Sequence, residues 1–499
     1  MSVSALDGSE TTTPDRSPDN TPPEHHPRLA VTVLCAAGIV VALMQTIIVP
    51  LIPSLPTLLN AEPSNTSWAL TITLLTGAVI TPIGGRLGDM YGKRRMLIAS
   101  MGAVTIGSIV CALSTALVPF LIGRGLQGLG FGTIALGISV MRDIVPPRHL
   151  GASVGTMSAS LGVGGALGLP FSAAIAQHLS WHALFWACAV AAVAGGIGIR
   201  LTVPESRAPS GGRFDILGAI GLTTILVCLL LPLSKGAQWG WAAPLTLGLF
   251  AAFVVVALAW WFLERRLATP LIDTRLAIER PVLLTNIASI AVGFAFYSMQ
   301  LIPIQLLMAP TASPNGLGFD MLTASLVLTP SGLVMFVCSN LSARLTARFG
   351  PRVSLAVGAV ILGIGYTVFI VAMAGPWPMT WWLMVILASL IGAGLGVAYS
   401  AMPALIMRAV RVEQTGEANG VNALMRVVGT STSAAVVGMI LTASMMSGTT
   451  SDGSTFTVPT TSGYLWASGI SLGACVVAAV LAMAIPATQP IRVDQTTRL

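Results

Sequence analysis

Two arginines stand where ionic side chains are expensive. Arg124 and Arg426 each fall inside a long apolar stretch, and a charge at the centre of a bilayer costs about 2.5–3.5 kcal/mol on insertion scales. Each guanidinium must therefore face a protein interior or a wet cavity and find acceptors there. For Arg124 two roles stay open: orienting a bound molecule, or tying helix carbonyls together as a hydrogen-bond hub. Arg426 lies early in its stretch, so reaching toward the membrane surface is a further option. Other candidate contacts are Gln45, Trp68 and Gln127 in the first half of the chain, and Tyr297, Gln300, Gln305 and Asn422 in the second. An amide in an apolar span needs a partner, and a few polar groups set among aromatics and methionines suit an adaptable binding site. None of the 18 acidic residues falls in the middle of a stretch. The sequence holds no HExxH, no P-loop, no paired embedded carboxylates and no metal-ligand pattern. The chemistry on offer is recognition, not bond-making. With cations and no embedded carboxylate, such a site favours neutral or anionic amphiphiles over multivalent cations.

The elements that carry these residues read as membrane spans. The chain is 54% hydrophobic and 9% charged, against about 25% charged for a soluble domain. Fourteen apolar stretches reach the ~20 residues a crossing helix needs. In lipid every backbone group must bond within its own segment, so these stretches are helices and the fold is all-α. Of the 25 Lys and Arg residues, 22 fall in the tails or the even-numbered connections, two are the embedded arginines, and Lys235 alone sits in an odd-numbered connection. That asymmetry places both termini and all even connections in the cytoplasm. Trp181, Trp239, Trp241, Trp377 and Trp381 lie at span ends as an interfacial belt. The net charge of +7 is a topology signal, and no basic block with interleaved aromatics points to nucleic acid. The six cysteines lie inside spans without a CxxC and read as small packing residues.

Residues 1–28 and 487–499 read as polar cytoplasmic tails, the first disordered. Residues 29–203 form one set of six spans and 281–486 another. The segment 204–280 carries an additional pair at 216–234 and 242–263. An internal repeat relates the two sets. Gly85-Arg-Leu-Gly-Asp-Met-Tyr-Gly-Lys-Arg94 follows span 2, and Ala343-Arg-Leu-Thr-Ala-Arg-Phe-Gly-Pro-Arg352 follows span 10. A shift of 258 residues aligns Arg86 with Arg344, Gly92 with Gly350 and Arg94 with Arg352. Two related six-helix halves place a binding site at their interface, near the membrane midplane.

These motifs resemble the major facilitator superfamily, and the span count resembles its fourteen-span drug:proton antiporter branch. The run GRLGDMYGKRR from Gly85 is similar to its motif A. Leu121-Ile-Gly-Arg124-Gly-Leu-Gln-Gly128 is similar to motif B, and Gly155, Gly164, Gly168 and Pro170 to motif C. Phe214-Asp215-Ile-Leu-Gly218 and Pro270-Leu-Ile-Asp273 match the branch as well. The resemblance covers residues 29–486. It implies a cytoplasmic latch built from Gly85, Gly88, Asp89, Gly92, Lys93, Arg94 and Asp143, with Asp89 at the start of span 13 near Gly416 to Asn419. It implies that the helix 5 glycines line the interface between halves, with no cofactor and a proton as coupling ion. Two departures bear on this. Leu169 splits the Gly-Pro pair of motif C, and Met44 stands where the branch has an Asp. His149, His178 and His182 sit at turns, as weak candidates for titration. The expected activity is export of lipophilic neutral or anionic small molecules across the cytoplasmic membrane, by a monomer. A lipid or lipid-linked metabolite as cargo, and a receptor without transport, are the alternatives.

Overall fold

The computed structural model describes residues 27–48, 51, 55–66, 68–205, 214–267, 270–376, 378–449 and 455–486. The tails, much of the 204–213 linker and Trp377 therefore lie outside the described residues. Fourteen helices are long and apolar enough to cross a membrane. We label them α1 (Pro27–Thr46), α2 (Trp68–Tyr91), α3 (Lys93–Leu113), α4 (Leu117–Ile144), α5 (Pro147–His178), α6 (His182–Thr202), α7 (Ile216–Trp239), α8 (Pro244–Glu264), α9 (Arg280–Met308), α10 (Met321–Phe349), α11 (Pro351–Ala374), α12 (Trp381–Ala409), α13 (Thr415–Ala443) and α14 (Thr461–Ala484). A 3-10 turn at Leu129–Phe131 interrupts α4.

Each half has its own apolar core. Leu34, Met101, Phe120, Met157 and Phe185 belong to the core of α1–α6. Val292, Met335, Tyr366, Leu395 and Tyr464 belong to that of α9–α14. A third cluster joins Ala78 of α2, Leu222 and Leu226 of α7, Leu271, Ile272 and Leu424 of α13. The added pair thus docks through α7 across the seam between the halves. Helix α8 buries almost none of its apolar surface, leaving Leu247, Val255, Leu258 and Phe262 exposed. With no apolar partner there, that face belongs in lipid.

Several boundaries differ from the sequence reading. The motif from Gly85, which in the sequence reads as the connection after span 2, is helix up to Tyr91, where α2 ends. The reversal into α3 is made at Gly92 alone, with φ +109. Hydropathy marks where apolar residues stop, whereas a helix stops where its backbone must turn, and a left-handed φ suits glycine. Span 10 likewise extends from 342 to Phe349 and turns at Gly350, φ +86. Helix α7 runs to Trp239, so Lys235 lies inside it and not in a connection. A two-stranded antiparallel hairpin, β1 (Met445–Thr449) with β2 (Thr455–Pro459), precedes α14. Its alternation is too short to register beside the apolar spans.

Candidate functional site

At the face carrying the basic connections, ionic groups of the first half grip α13 of the second. No side chain of its own caps α13. Asp89 of α2 supplies the cap, accepting from the backbone N–H of Gly416 at 3.3 Å and of Glu417 at 2.9 Å. A carboxylate at the positive end of a helix macrodipole is favourable, and its hydrogen bonds are charge-assisted. The close approach depends on Gly85, where a Cβ would collide with the Gly416 carbonyl. Lys93 bonds Asp143 at 2.9 Å and lies 3.8 Å from Asp89, so it ties the capping carboxylate to the end of α4. Gly88 leaves room for Leu136 of α4.

Further cross-half contacts surround the residues expected to form the latch. Arg86 pairs with Glu417 at 3.4 Å, and Glu417 also accepts from the Asp273 backbone N–H at 2.7 Å. Arg142 donates to the Thr415 hydroxyl and to the Val410 carbonyl at 3.1 Å. Glu417 fell within the segment that the resemblance implicated, and Arg142 adjoins Asp143. Both were within reach of the sequence but were not singled out. Of the expected latch members, Arg94 donates to the Arg200 carbonyl at 2.8 Å, at the end of α6, within its own half, and the Lys93–Asp143 pair also lies within that half.

Above the latch lies a cavity of about 80 Å³ lined from both halves. Gln45 of α1, Thr81 of α2, Phe131 of α4, Phe296 of α9 and Tyr399 of α12 surround Arg426 of α13. Arg426 is the only ionic group among the described lining residues. Its guanidinium carbon stands 5.3 Å from the Tyr399 ring centroid, a cation–π distance. Asn422 holds it, accepting from Nη1 at 3.1 Å. The Asn422 amide in turn donates to Asn286 and Ser289. Nothing beyond ordinary apolar spacing singled out Phe131, Phe296 or Tyr399 in the sequence.

The remaining expected binding residues do not converge on this cavity. Arg124 is fully buried inside the first half. It donates to the Ala69 carbonyl at 3.2 Å, the Met44 carbonyl at 3.3 Å and Gln127 Oε1 at 2.6 Å. Gln127 continues to the Ser108 hydroxyl. Of the two roles left open for Arg124, these bonds are those of the hub: they tie α4 to α1 and α2 through backbone acceptors, with Nη2 buried and left without a hydrogen-bond partner. Where the branch pattern has an acid, at Met44, the main-chain oxygen serves as acceptor. Gln300 lines a small void beside Gly162 and Met335 that shares Phe296 with the central cavity. Tyr297 lines a separate cavity beside α7, Trp68 packs on Trp239 behind it, and Gln305 faces the β-hairpin.

The helix 5 glycines divide their work. Gly155 meets Ser339 of α10 across the seam, as Gly162 meets Met335. Gly164 and Gly168 pack on Ala42 and Thr46 of α1, within their own half, so the expectation that all of them line the interface is corrected. Pro170 lies inside α5, which continues through it.

Comparisons with known proteins agree with this architecture. The family model described as Major Facilitator Superfamily matches residues 34–434 and 305–497. An uncharacterized MFS-type transporter of Mycobacterium tuberculosis is 27% identical over 417 residues, covering 82% of this chain and 58% of that protein. The chain thus spans little more than half the length of that relative. The probable actinorhodin transporter of Streptomyces coelicolor is 29% identical over 440 residues, 86% of this chain and 74% of its own. The tetracenomycin C resistance and export protein of Streptomyces glaucescens is 27% identical over 416 residues, 81% and 74%. The solved structure of the human organic anion transporter MFSD10 superimposes with a TM-score of 0.64 at 15% identity, covering 93% of this chain and all of that one. At that identity the likeness speaks to the fold alone. On the family match, the paired six-helix halves and the site between them, the chain belongs to the major facilitator superfamily of membrane transporters.

Proposed function

We propose that the protein exports lipophilic neutral or anionic small molecules across the cytoplasmic membrane by alternating access, as a monomer driven by proton influx. The observation that carries this reading is the cavity between the halves. Among the described lining residues its one ionic group is the guanidinium of Arg426, and the others are aromatic, aliphatic or neutral polar. A cation in a largely apolar pocket, with no carboxylate beside it, attracts an anion or a polarisable neutral ring more than another cation. Contacts between the halves at the basic face hold the pocket shut on that side. The relative named for tetracenomycin C resistance and export supports the direction. The drive rests on the resemblance to proton antiporters. The buried carboxylates placed to exchange a proton as the halves part are Asp89 and Glu417, both in the latch.

The test compares two dyes of similar shape and opposite charge status in proteoliposomes: anionic 8-anilinonaphthalene-1-sulfonate and neutral N-phenyl-1-naphthylamine. Arg426→Gln is expected to slow transport of the anion at least fivefold and of the neutral dye less than twofold, with an unchanged melting temperature. Equal rates for the anion in variant and parent would remove Arg426 from recognition. Insensitivity to an imposed pH gradient would remove the proton as drive.

A further inference from the structure

Lys235 is the one basic residue on the wrong side of the charge asymmetry, and the latch and central cavity make no use of it. A lysine four residues from a helix end ordinarily extends its ammonium to the membrane surface. This one does not. It is 1% exposed and lies in the wall of a cavity of about 280 Å³. The cavity is enclosed by α2, α7, α9 and α13, in the part of the molecule away from the basic face. Lys235 Nζ stands 4.8 Å from the Trp68 ring centroid and 3.3 Å from Gln238 Oε1. Thr71 and Ser234 meet through their hydroxyls at 2.7 Å in the same wall. Leu70, Leu233 and Met439 supply apolar surface. No carboxylate is among the described lining residues. The cavity adjoins the central one, since Leu74 lines both.

An ammonium held inside a protein wall, with hydroxyls and an amide around it and apolar surface beyond, matches the head and body of an anionic amphiphile. We propose that Lys235 and the neighbouring polar groups form a second anion-recognition site, which receives the carboxylate, sulfonate or phosphate of a lipophilic cargo on its way out. The inserted helix pair then contributes a binding residue and is not a spacer between the halves. The anionic class of ligand rests on the proposed function, while the site itself rests on its own cavity.

Equilibrium titration of the full-length protein in detergent with the same two dyes tests this. Lys235→Gln should raise the dissociation constant for 8-anilinonaphthalene-1-sulfonate at least fivefold and leave that for N-phenyl-1-naphthylamine within twofold. Lys235→Arg should restore anion binding to within twofold. Gly438→Phe fills the cavity from the opposite wall, where an added Cβ meets nothing within 4 Å. It should weaken anion binding as much without disturbing the lysine. Unchanged anion affinity in both Lys235→Gln and Gly438→Phe overturns the proposal, as do equal losses for the two dyes in Lys235→Gln. Arg426→Gln in the same titration separates the two readings. Loss there with none at Lys235 removes only the outer site, and the converse removes only the central one. A parent protein that binds the neutral dye but not the anion overturns both.

Discussion

The reversals at Gly92 and Gly350 occupy the same place in the two halves and do different work. What they share is structural. Both glycines carry a left-handed φ, and both are followed by an arginine that reaches the end of its half's last helix. Arg94 donates to the Arg200 carbonyl in α6, and Arg352 to the Ile485 carbonyl at the end of α14. What they do not share is the latch. Asp89, which caps α13, corresponds to the exposed Ala347, and Lys93 to Pro351. Arg86 pairs with Glu417 across the seam, whereas its counterpart Arg344 is exposed. Gly85 admits the α13 backbone, while its counterpart is Ala343, whose side chain a Cβ added at Gly151 of α5 would meet at 3.8 Å. The repeat therefore preserves what closes each bundle and discards, on one side, what joins the bundles. Within the repeat, the cross-half ionic contacts are one-sided, carried by α2 and α13, while α5 and α10 meet across the seam through the neutral pairs Thr156–Asn340 and Ser339–Gly155.

The sharpest way to break that comparison is to neutralise one side and charge the other. Asp89→Asn removes an ionic cap worth about 1.5–3 kcal/mol, enough to shift a two-state equilibrium by roughly tenfold or more. Transport of either dye should fall about tenfold while its dissociation constant stays within twofold. Ala347→Asp, on the exposed side, should change neither by more than twofold. A large loss of affinity in Asp89→Asn, with cycling intact, would mean the carboxylate touches cargo and does not latch. A strong effect of Ala347→Asp would mean that both reversals gate.

A smaller effect separates Arg86 from Arg344. The Arg86–Glu417 pair is partly buried, and Glu417 retains the Asp273 N–H as a second partner. Losing the guanidinium should cost about 1 kcal/mol and slow cycling roughly threefold to fivefold. Arg344→Ala should leave the rate within experimental scatter. Equal slowing by both substitutions would place the effect in the charge of the basic face, not in the cross-half pair.

How far the sequence discloses all this depends on the length scale of each signal. The spans and the added pair are legible because lipid enforces long apolar runs. The repeat is legible because Gly92, Gly350, Arg94 and Arg352 answer local needs, a turn and a helix end. The Asp89 contact with α13 came from the resemblance, since nothing local joins residue 89 to residue 416. Helix ends were misplaced where polar residues face inward: Asp89 and Lys235 lower the hydropathy of α2 and α7 without ending either helix. The binding residues were the least legible. Arg124 and Arg426 carry the same signal, an arginine in an apolar run. Only the packing shows that one is bound by two carbonyls and an amide inside a bundle and the other lines a cavity between bundles.

The smallest expected effect tests the shared half of the comparison. Arg94 and Arg352 are each half-buried, and each gives one hydrogen bond to a carbonyl at the end of a helix. Such carbonyls have no partner within their own helix, and a cation there also meets the negative end of the macrodipole. Arg94→Ala and Arg352→Ala should each lower stability by about 1 kcal/mol, a drop of a few degrees in melting temperature read by intrinsic fluorescence. Because the two sites lie in different bundles with no shared partner, the double substitution should add the two losses. Transport per folded molecule should stay within twofold of the parent, since neither arginine crosses the seam. A matched pair of melting shifts with intact transport fits a repeat kept for bundle closure. A transport defect confined to Arg94→Ala would instead return that arginine to the latch, where the family resemblance placed it.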